Sequence, residues 1–158
     1  MDNKTRIDYL ANHPNLISTV AAWYVKMWGK FRENPSLQHA KTRLLNHLNI
    51  DKLNLCFLYF RNHKLVGTAS LTEKDIPNNE TFSPCLSKLF VMEQYRRQKI
   101  GENLIEYAKL QAKNLGFKKI YLYTMNATIH CWYQKLNWEI IKEDVVRGHN
   151  IKIMETKI

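Results

Sequence analysis

Residues 91–105 (VMEQYRRQKIGENLI) constrain the fold more than any other segment. They are predicted to pass from a strand through a basic turn directly into a helix. The helix is predicted to continue to residue 115, because apolar residues recur at helical spacing until Gly116 ends it. A helix start exposes unpaired backbone N–H groups and the positive end of the helix dipole, so a phosphate can bind there. Gly101 lacks a Cβ and lets a ligand approach the backbone closely. The segment therefore predicts an anion site at the turn.

The predicted order along the chain is strand, two helices, three strands, helix, strand, helix and two strands. Hydrophobic spacing predicts helices at residues 15–30, 36–48, 100–115 and 127–136, with Ser36 as the N-cap of the second. It predicts strands at residues 6–10, 54–60, 65–71, 86–92, 119–124, 138–142 and 151–156. The second and third strands form a hairpin, as do the last two around residues 147–150. This order predicts a mixed α/β sheet.

Length and composition limit the kinds of protein that the chain can be. A chain of 158 residues with 45% hydrophobic content suits a single globular domain, residues 1–158. It has no apolar run of about 18 to 20 residues and no signal-peptide pattern at its start, so we expect a cytoplasmic protein without a membrane partner. Cys56, Cys85 and Cys131 lack the spacing of a zinc site, which predicts reduced thiols and no metal.

The formal net charge of +10 has two explanations, an anionic ligand or a surface of solvated lysines. Local clustering separates them. Residues 93–119 contain seven Lys or Arg against three Glu, a basic surplus of four. The basic surplus therefore lies around the predicted anion site.

The basic turn also resembles the coenzyme A loop of the GNAT superfamily of N-acetyltransferases, which reads Arg/Gln-x-x-Gly-x-Gly/Ala after a strand. The matching stretch here is RRQKIG, residues 96–101, with Lys99 where the family usually has its first glycine. HCWYQKLNWEI, residues 130–140, resembles the family's later motif, with Asn137 in place of the usual glycine. Asparagine can adopt the left-handed conformation at a helix end. The two motifs have the family's order and spacing.

The front half is similar to a bacterial GNAT subgroup, through HPNLISTVAAWYVKMW and SLTE, and more distantly to the amino-terminal acetyltransferase that acts on actin. The resemblance implies a largely antiparallel central sheet of about six to seven strands flanked by about four helices. It implies acetyl-CoA as cofactor and acetyl transfer to a primary amine, a peptide N-terminus or a small molecule, by direct attack in a ternary complex. It also allows a homodimer, because the last strand of this fold often pairs across dimers.

The resemblance further implies roles for individual residues. Tyr133 would protonate the departing thiolate, and Glu73 would accept the proton of the amine, with Asp75 as the alternative. Trp28 and Trp23, with Asp75, would line the acceptor pocket. The expected cofactor contacts are Leu89, Phe90, Val91, Arg96, Arg97, Gln98, Lys99, Ile100, Gly101, Glu102, Asn126 and Tyr133. Each catalytic or pocket residue has a structural alternative, a packed aromatic ring or a solvated carboxylate.

Two other functions are open at this point. The basic helix could belong to a nucleic-acid-binding module, but Lys109 and Lys113 stand beside Glu102 and Glu106, as on an ordinary solvated face, and no nucleic-acid motif is present. Lys99 and Asn137 also suit a GNAT-like protein that binds acyl-CoA without turnover. We expect no nucleic-acid partner.

Overall fold

One twisted sheet runs through the chain, as a computed structural model of residues 3–33 and 35–158 describes. Its strands are β1 (Thr5–Tyr9), β2 (Leu55–Arg61), β3 (Lys64–Thr72), β4 (Cys85–Val91), β5 (Lys119–Thr124), β6 (Glu139–Val146) and β7 (His149–Lys157). The helices are α1 (Ile17–Trp28), α2 (Leu37–Leu45), α3 (Ile100–Asn114) and α4 (Ile129–Lys135). Short 3₁₀ turns flank α1 and precede α3.

The strand order across the sheet is β1-β2-β3-β4-β5-β7-β6, in which β4 and β5 are parallel and the other neighbours antiparallel. The predicted fold class, a mixed and largely antiparallel sheet with flanking helices, is confirmed. β7 lies between β5 and β6 and has no free edge. It therefore cannot add a strand of a second copy beside it, as we expected of the last strand in a dimer. The free edge on that side belongs to β6.

Helices cover both faces of the sheet, which explains why β2 is apolar along its length. Phe57 points to the face covered by α3 and belongs to the same buried cluster as Leu104 and Trp138. Its neighbour Leu58 points to the other face and packs with Val20 of α1. Alternate residues of one strand thus enter two separate cores.

Local signals set the helix ends as predicted. The Ser36 hydroxyl accepts a hydrogen bond from the His39 N–H at 3.1 Å and begins α2, which ends at Leu45, three residues earlier than predicted. Gly116 and Asn137 adopt left-handed conformations, with φ of +93° and +67°, directly beyond α3 and α4. No helix in the described residues has the length and apolarity needed to span a membrane.

The last hairpin is longer than predicted. Its strands reach from Glu139 to Lys157 and meet at the two-residue turn of Arg147 and Gly148, whose φ values are +51° and +78°. The prediction missed residues 143–146 of β6 because two of these four residues are acidic. An edge strand with a solvated face has few apolar residues and so gives little hydrophobic pattern.

Candidate active site

β4 and β5 form an open gap near the centre of the sheet. In the described part of the chain their register contains a single pair, Cys85 with Tyr121, after which the strands diverge. A bulge in β4 lies along the gap, because Thr68 faces Phe90 while Ser70 faces Ser87. Two residues of β4, Lys88 and Leu89, therefore oppose one residue of β3. Lys88 has the left-handed φ of +52°.

The backbone of Val91 faces this gap. The Met92 N–H donates to the Val66 carbonyl at 2.9 Å, and Val91 is paired with Gly67 in the same ladder. Because N–H groups alternate sides along a strand, the Val91 N–H and carbonyl point away from β3. The carbonyl accepts a hydrogen bond from Arg96 Nε at 2.9 Å. The N–H is thus directed at the space between β4 and β5.

A cavity of about 610 Å³ fills the gap and extends to the end of α1 and the start of α4. It brings together five residues that the sequence predicted for the site: Trp28, Asp75, Leu89, Asn126 and Tyr133. A second cavity of about 370 Å³ adjoins it, and Asp75, Ser87 and Lys88 line both.

Tyr133 is held in the first cavity by α4 and is 9% exposed. Its ring packs edge-on against Trp138, with 5.8 Å between the ring centroids. Burial raises the pKa of its hydroxyl well above the usual value near 10. The phenol is therefore protonated at neutral pH.

Asn126 helps to start the helix that carries Tyr133. Its Oδ1 accepts hydrogen bonds from the N–H groups of Thr128 at 2.8 Å and Ile129 at 3.2 Å. Asn126 lines the cavity, but its side-chain oxygen is occupied by α4.

The two candidate carboxylates occupy different positions. Glu73 is exposed and lines the second cavity, while its backbone N–H donates to Asn54 Oδ1 at 2.7 Å. Asp75 is half-buried and lines both cavities. The structure therefore brings Asp75, rather than Glu73, into the cavity of Tyr133.

The two tryptophans of α1 also separate. Trp28 lines the first cavity, and Lys88 Nζ lies 5.2 Å from the centroid of its ring. Trp23 packs at a tilt against Phe90, with 4.7 Å between the ring centroids, and within the described residues it lines neither of these two cavities. The sequence analysis did not predict Lys88 as a site residue. The one sequence feature that could have indicated it is its position inside the apolar strand LSKLFVM, where a charged residue is unusual.

The basic turn lies at the start of α3. Arg97 and Lys99 have left-handed φ values of +58° and +63°. Gln98 is held by its amide, which donates to the Gln94 carbonyl at 3.2 Å, and by a contact from Arg61. Arg97 and Lys99 form no ion pair with any residue of the described ranges. Their charges remain available to a ligand.

The helix start itself has no protein cap. Lys99 occupies the N-cap position, and within the described residues its side chain makes no capping hydrogen bond. The first bond of the helix runs from the Asn103 N–H to the Lys99 carbonyl at 2.9 Å. The N–H groups of Ile100, Gly101 and Glu102 consequently lack partners within the helix. Together with the turn, they are suited to bind phosphate oxygens.

Gly101 has a different neighbour from the one expected. A Cβ added at this position would lie 3.3 Å from a ring carbon of Trp132. The group that approaches Gly101 closely is thus the Trp132 side chain of α4, and this contact packs α3 and α4 together. A phosphate is not needed to explain this glycine.

The fold and site define an α/β protein with a split parallel strand pair, a cavity in the split and an uncapped basic helix start beside it. Residues 52–140, more than half of the chain, match the sequence model of the acetyltransferase (GNAT) domain. The chain therefore belongs to the GNAT acetyltransferase family. The predicted family and the enzyme class, an acyltransferase, are confirmed. A search among curated proteins found no match.

Solved structures show the same fold at low sequence identity. An aminoglycoside 6'-N-acetyltransferase complexed with coenzyme A is 16% identical, with a TM-score of 0.73 and 96% of both chains covered. A GNAT acetyltransferase from Staphylococcus aureus Mu50 is 22% identical, with a TM-score of 0.67, covering 98% of this chain and 99% of that one. One from Streptococcus pneumoniae is 19% identical, with a TM-score of 0.70 and the same coverages.

Proposed function

We propose that this protein is an N-acetyltransferase that transfers acetyl from acetyl-CoA to a primary amine, by direct attack in a ternary complex. The observation that carries the proposal is the gap between β4 and β5, where Tyr133 lines a cavity. The uncapped start of α3 lies close to this part of the fold, because Gly101 packs against Trp132, the neighbour of Tyr133. The solved structure with coenzyme A bound has the same fold and supports this choice of cofactor.

The residues present fit such a cofactor. The free N–H groups at the start of α3, with Arg97 and Lys99, would bind its phosphates. The Val91 N–H is directed into the gap and would donate a hydrogen bond to an amide carbonyl in the pantetheine arm of the coenzyme. The N–H of Leu89 in the bulge would polarise the thioester carbonyl, which develops negative charge during attack. Phe90 is buried against Trp23, so we assign it the role of supporting this strand.

The chemical step requires two proton transfers. The amine nitrogen forms a bond to the thioester carbon, and the carbon–sulfur bond then breaks. The departing sulfur takes a proton from Tyr133, whose phenol is restored by a proton from solvent. Asp75, directly or through water, accepts the proton that the amine loses. Glu73 lies farther along the second cavity and is the alternative acceptor.

We further propose one catalytic domain over residues 1–158, supported by the single sheet from Thr5 to Lys157. Its work would be in the cytoplasm, a compartment that suits the free and exposed thiol of Cys131. We expect no membrane or nucleic-acid partner. Lys109 of the basic helix is paired with Glu106 at 3.1 Å, which lowers the charge available to a nucleic acid. A homodimer would form through the free edge of β6.

Calorimetric titration with acetyl-CoA tests the cofactor, with dephospho-CoA and ATP as controls. An assay for released thiol over a panel of amines then tests transfer. Saturable binding and amine-dependent thiol release support the proposal. Binding without release from any amine would favour the acyl-CoA-binding alternative, and salt-dependent retention on DNA without acetyl-CoA binding would favour the nucleic-acid module.

A further inference from the structure

The second cavity has a cluster of positive side chains that the transfer reaction does not use. Arg32, Arg43 and Lys88 line it, and the same three residues also line a small adjoining cleft. Lys88 lies on the β4 bulge, Arg32 follows the end of α1, and Arg43 lies on α2. Three separate elements therefore place cations around one space, which shares Asp75, Ser87 and Lys88 with the cavity of Tyr133.

Among the described residues, these cations have no protein counter-ion in contact. Over the residues that the structure describes, no carboxylate oxygen lies within 4.0 Å of their nitrogens. Lys74, on the rim of the same cavity, is instead paired with Glu80 at 3.4 Å. Unpaired cations collected in a concave site attract an anion, because the surrounding protein screens them less than bulk water does.

The surroundings of the cluster affect the pKa of its lysine in opposite directions. Burial lowers the pKa of Lys88. The positive charges of Arg32 and Arg43 lower this pKa further, and the carboxylate of Asp75 raises it. His47 faces the same cavity, with its Nδ1 3.0 Å from the Arg43 carbonyl. Burial lowers the pKa of this imidazole, so it is neutral at pH 7 and adds no charge.

We propose that the second cavity binds an anionic group of the acceptor, so that the substrate is an amine that also carries a carboxylate or a phosphate. This inference rests on the proposed function and names its substrate class. Asp75 would lie at the amine end, beside Tyr133, and the guanidinium groups of Arg32 and Arg43 would bind the anion by charge-assisted hydrogen bonds. A polycationic acceptor would meet repulsion from the same residues.

The experiment compares kcat/KM, measured by thiol release at saturating acetyl-CoA, for matched amines. Carboxylate pairs are amino acids and their α-amides, the phosphate pair is phosphoethanolamine and ethanolamine, and spermidine is the cationic probe. We expect the anionic member to be preferred at least about tenfold, equivalent to about 1.4 kcal/mol. The preferred pair distinguishes carboxylate from phosphate. Equal use of both members, or preference for the neutral amine or spermidine, would overturn the inference while leaving the transferase intact.

Variants test whether the cluster supplies the preference. Arg32→Gln and Arg43→Gln should raise KM for the anionic amine toward that of its neutral partner, with kcat and acetyl-CoA affinity retained. Lys113→Gln removes one charge from an exposed position of α3 and should change neither value. An equal effect from Lys113→Gln, or none from the arginine variants, would contradict the assignment. If acetyl-CoA binds but no amine of the panel releases thiol, the proposed function itself fails, and the inference fails with it.

Discussion

The phenol of Tyr133 is the side chain on which the proposed reaction most depends. Because burial raises its pKa, it stays protonated through the working range and should cause no loss of rate on the alkaline side. Tyr133→Phe should lower kcat by about 10²-fold or more, the usual contribution of general acid catalysis. Acetyl-CoA affinity should be retained, since the ring and its packing remain.

Tyr121→Phe is the matched control, because this tyrosine stacks on Phe82 and lies outside the first cavity. Steady-state kinetics and calorimetry on both variants separate chemistry from binding. Full turnover by Tyr133→Phe would exclude Tyr133 as the acid.

A pair of carboxylate variants decides the identity of the base. Asp75→Asn should lower kcat/KM by about tenfold or more, because Asp75 lines the cavity of Tyr133. Glu73→Gln should change it by less, because Glu73 lines the second cavity only. The pH dependence of kcat/KM measured on both proteins is the readout. The reverse order, with loss below neutral pH in Glu73→Gln, would return the role to Glu73.

The turn before α3 shows how an element can keep its geometry after losing a family residue. Lys99 adopts the left-handed φ of +63° that a glycine would adopt without steric cost. A non-glycine residue in this region costs about 1 to 2 kcal/mol, and glycine loses about 0.5 to 1 kcal/mol through chain entropy. Lys99→Gly should therefore raise the free energy of unfolding by no more than about 1.5 kcal/mol, as urea denaturation would measure.

The same variant should weaken acetyl-CoA binding, because it removes a cation beside the free N–H groups of α3. Lys99→Asn is the matched control, since asparagine tolerates the left-handed region and is uncharged. Both variants should lose affinity equally and lose less at high salt, where charge is screened. Unchanged affinity would show that the lysine side chain does not contact the phosphates.

Elements with local signals were predictable, and those formed by distant pairing were not. Ser36, Gly116 and Asn137 mark helix ends through their own backbone and side chains, and the structure has each helix end near them. The β4 bulge and the gap beside it depend on how far β4 and β5 stay paired, which no residue spacing encodes. The motif predicted Tyr133, which lines the first cavity, whereas no pattern predicted Lys88, whose position follows from the bulge.

At the scale of the whole molecule, positive charge is balanced in some places and left unbalanced in others. Lys119 is paired with Glu155 across β5–β7, and Lys152 is paired with Glu143 across β6–β7. The turn before α3 and the second cavity retain unpaired cations. Part of the net charge of +10 thus lies where the proposed cofactor and acceptor would bind. Folding then brings like charges together, so stability should respond to pH through the groups among them.

His47 should provide the measurable part of that response. Burial lowers its pKa below the unfolded value near 6.5, with Lys88 and Arg43 adding to the effect and Asp75 opposing it. Below pH 6.5 the unfolded chain binds a proton that the folded protein binds less readily, so stability present at pH 8 is lost as the pH falls. His47→Gln should show a smaller loss between pH 8 and pH 5 by urea denaturation. His63→Asn, at an exposed turn position, should behave as wild type. An identical loss in wild type and His47→Gln would mean that His47 does not couple the second cavity to folding.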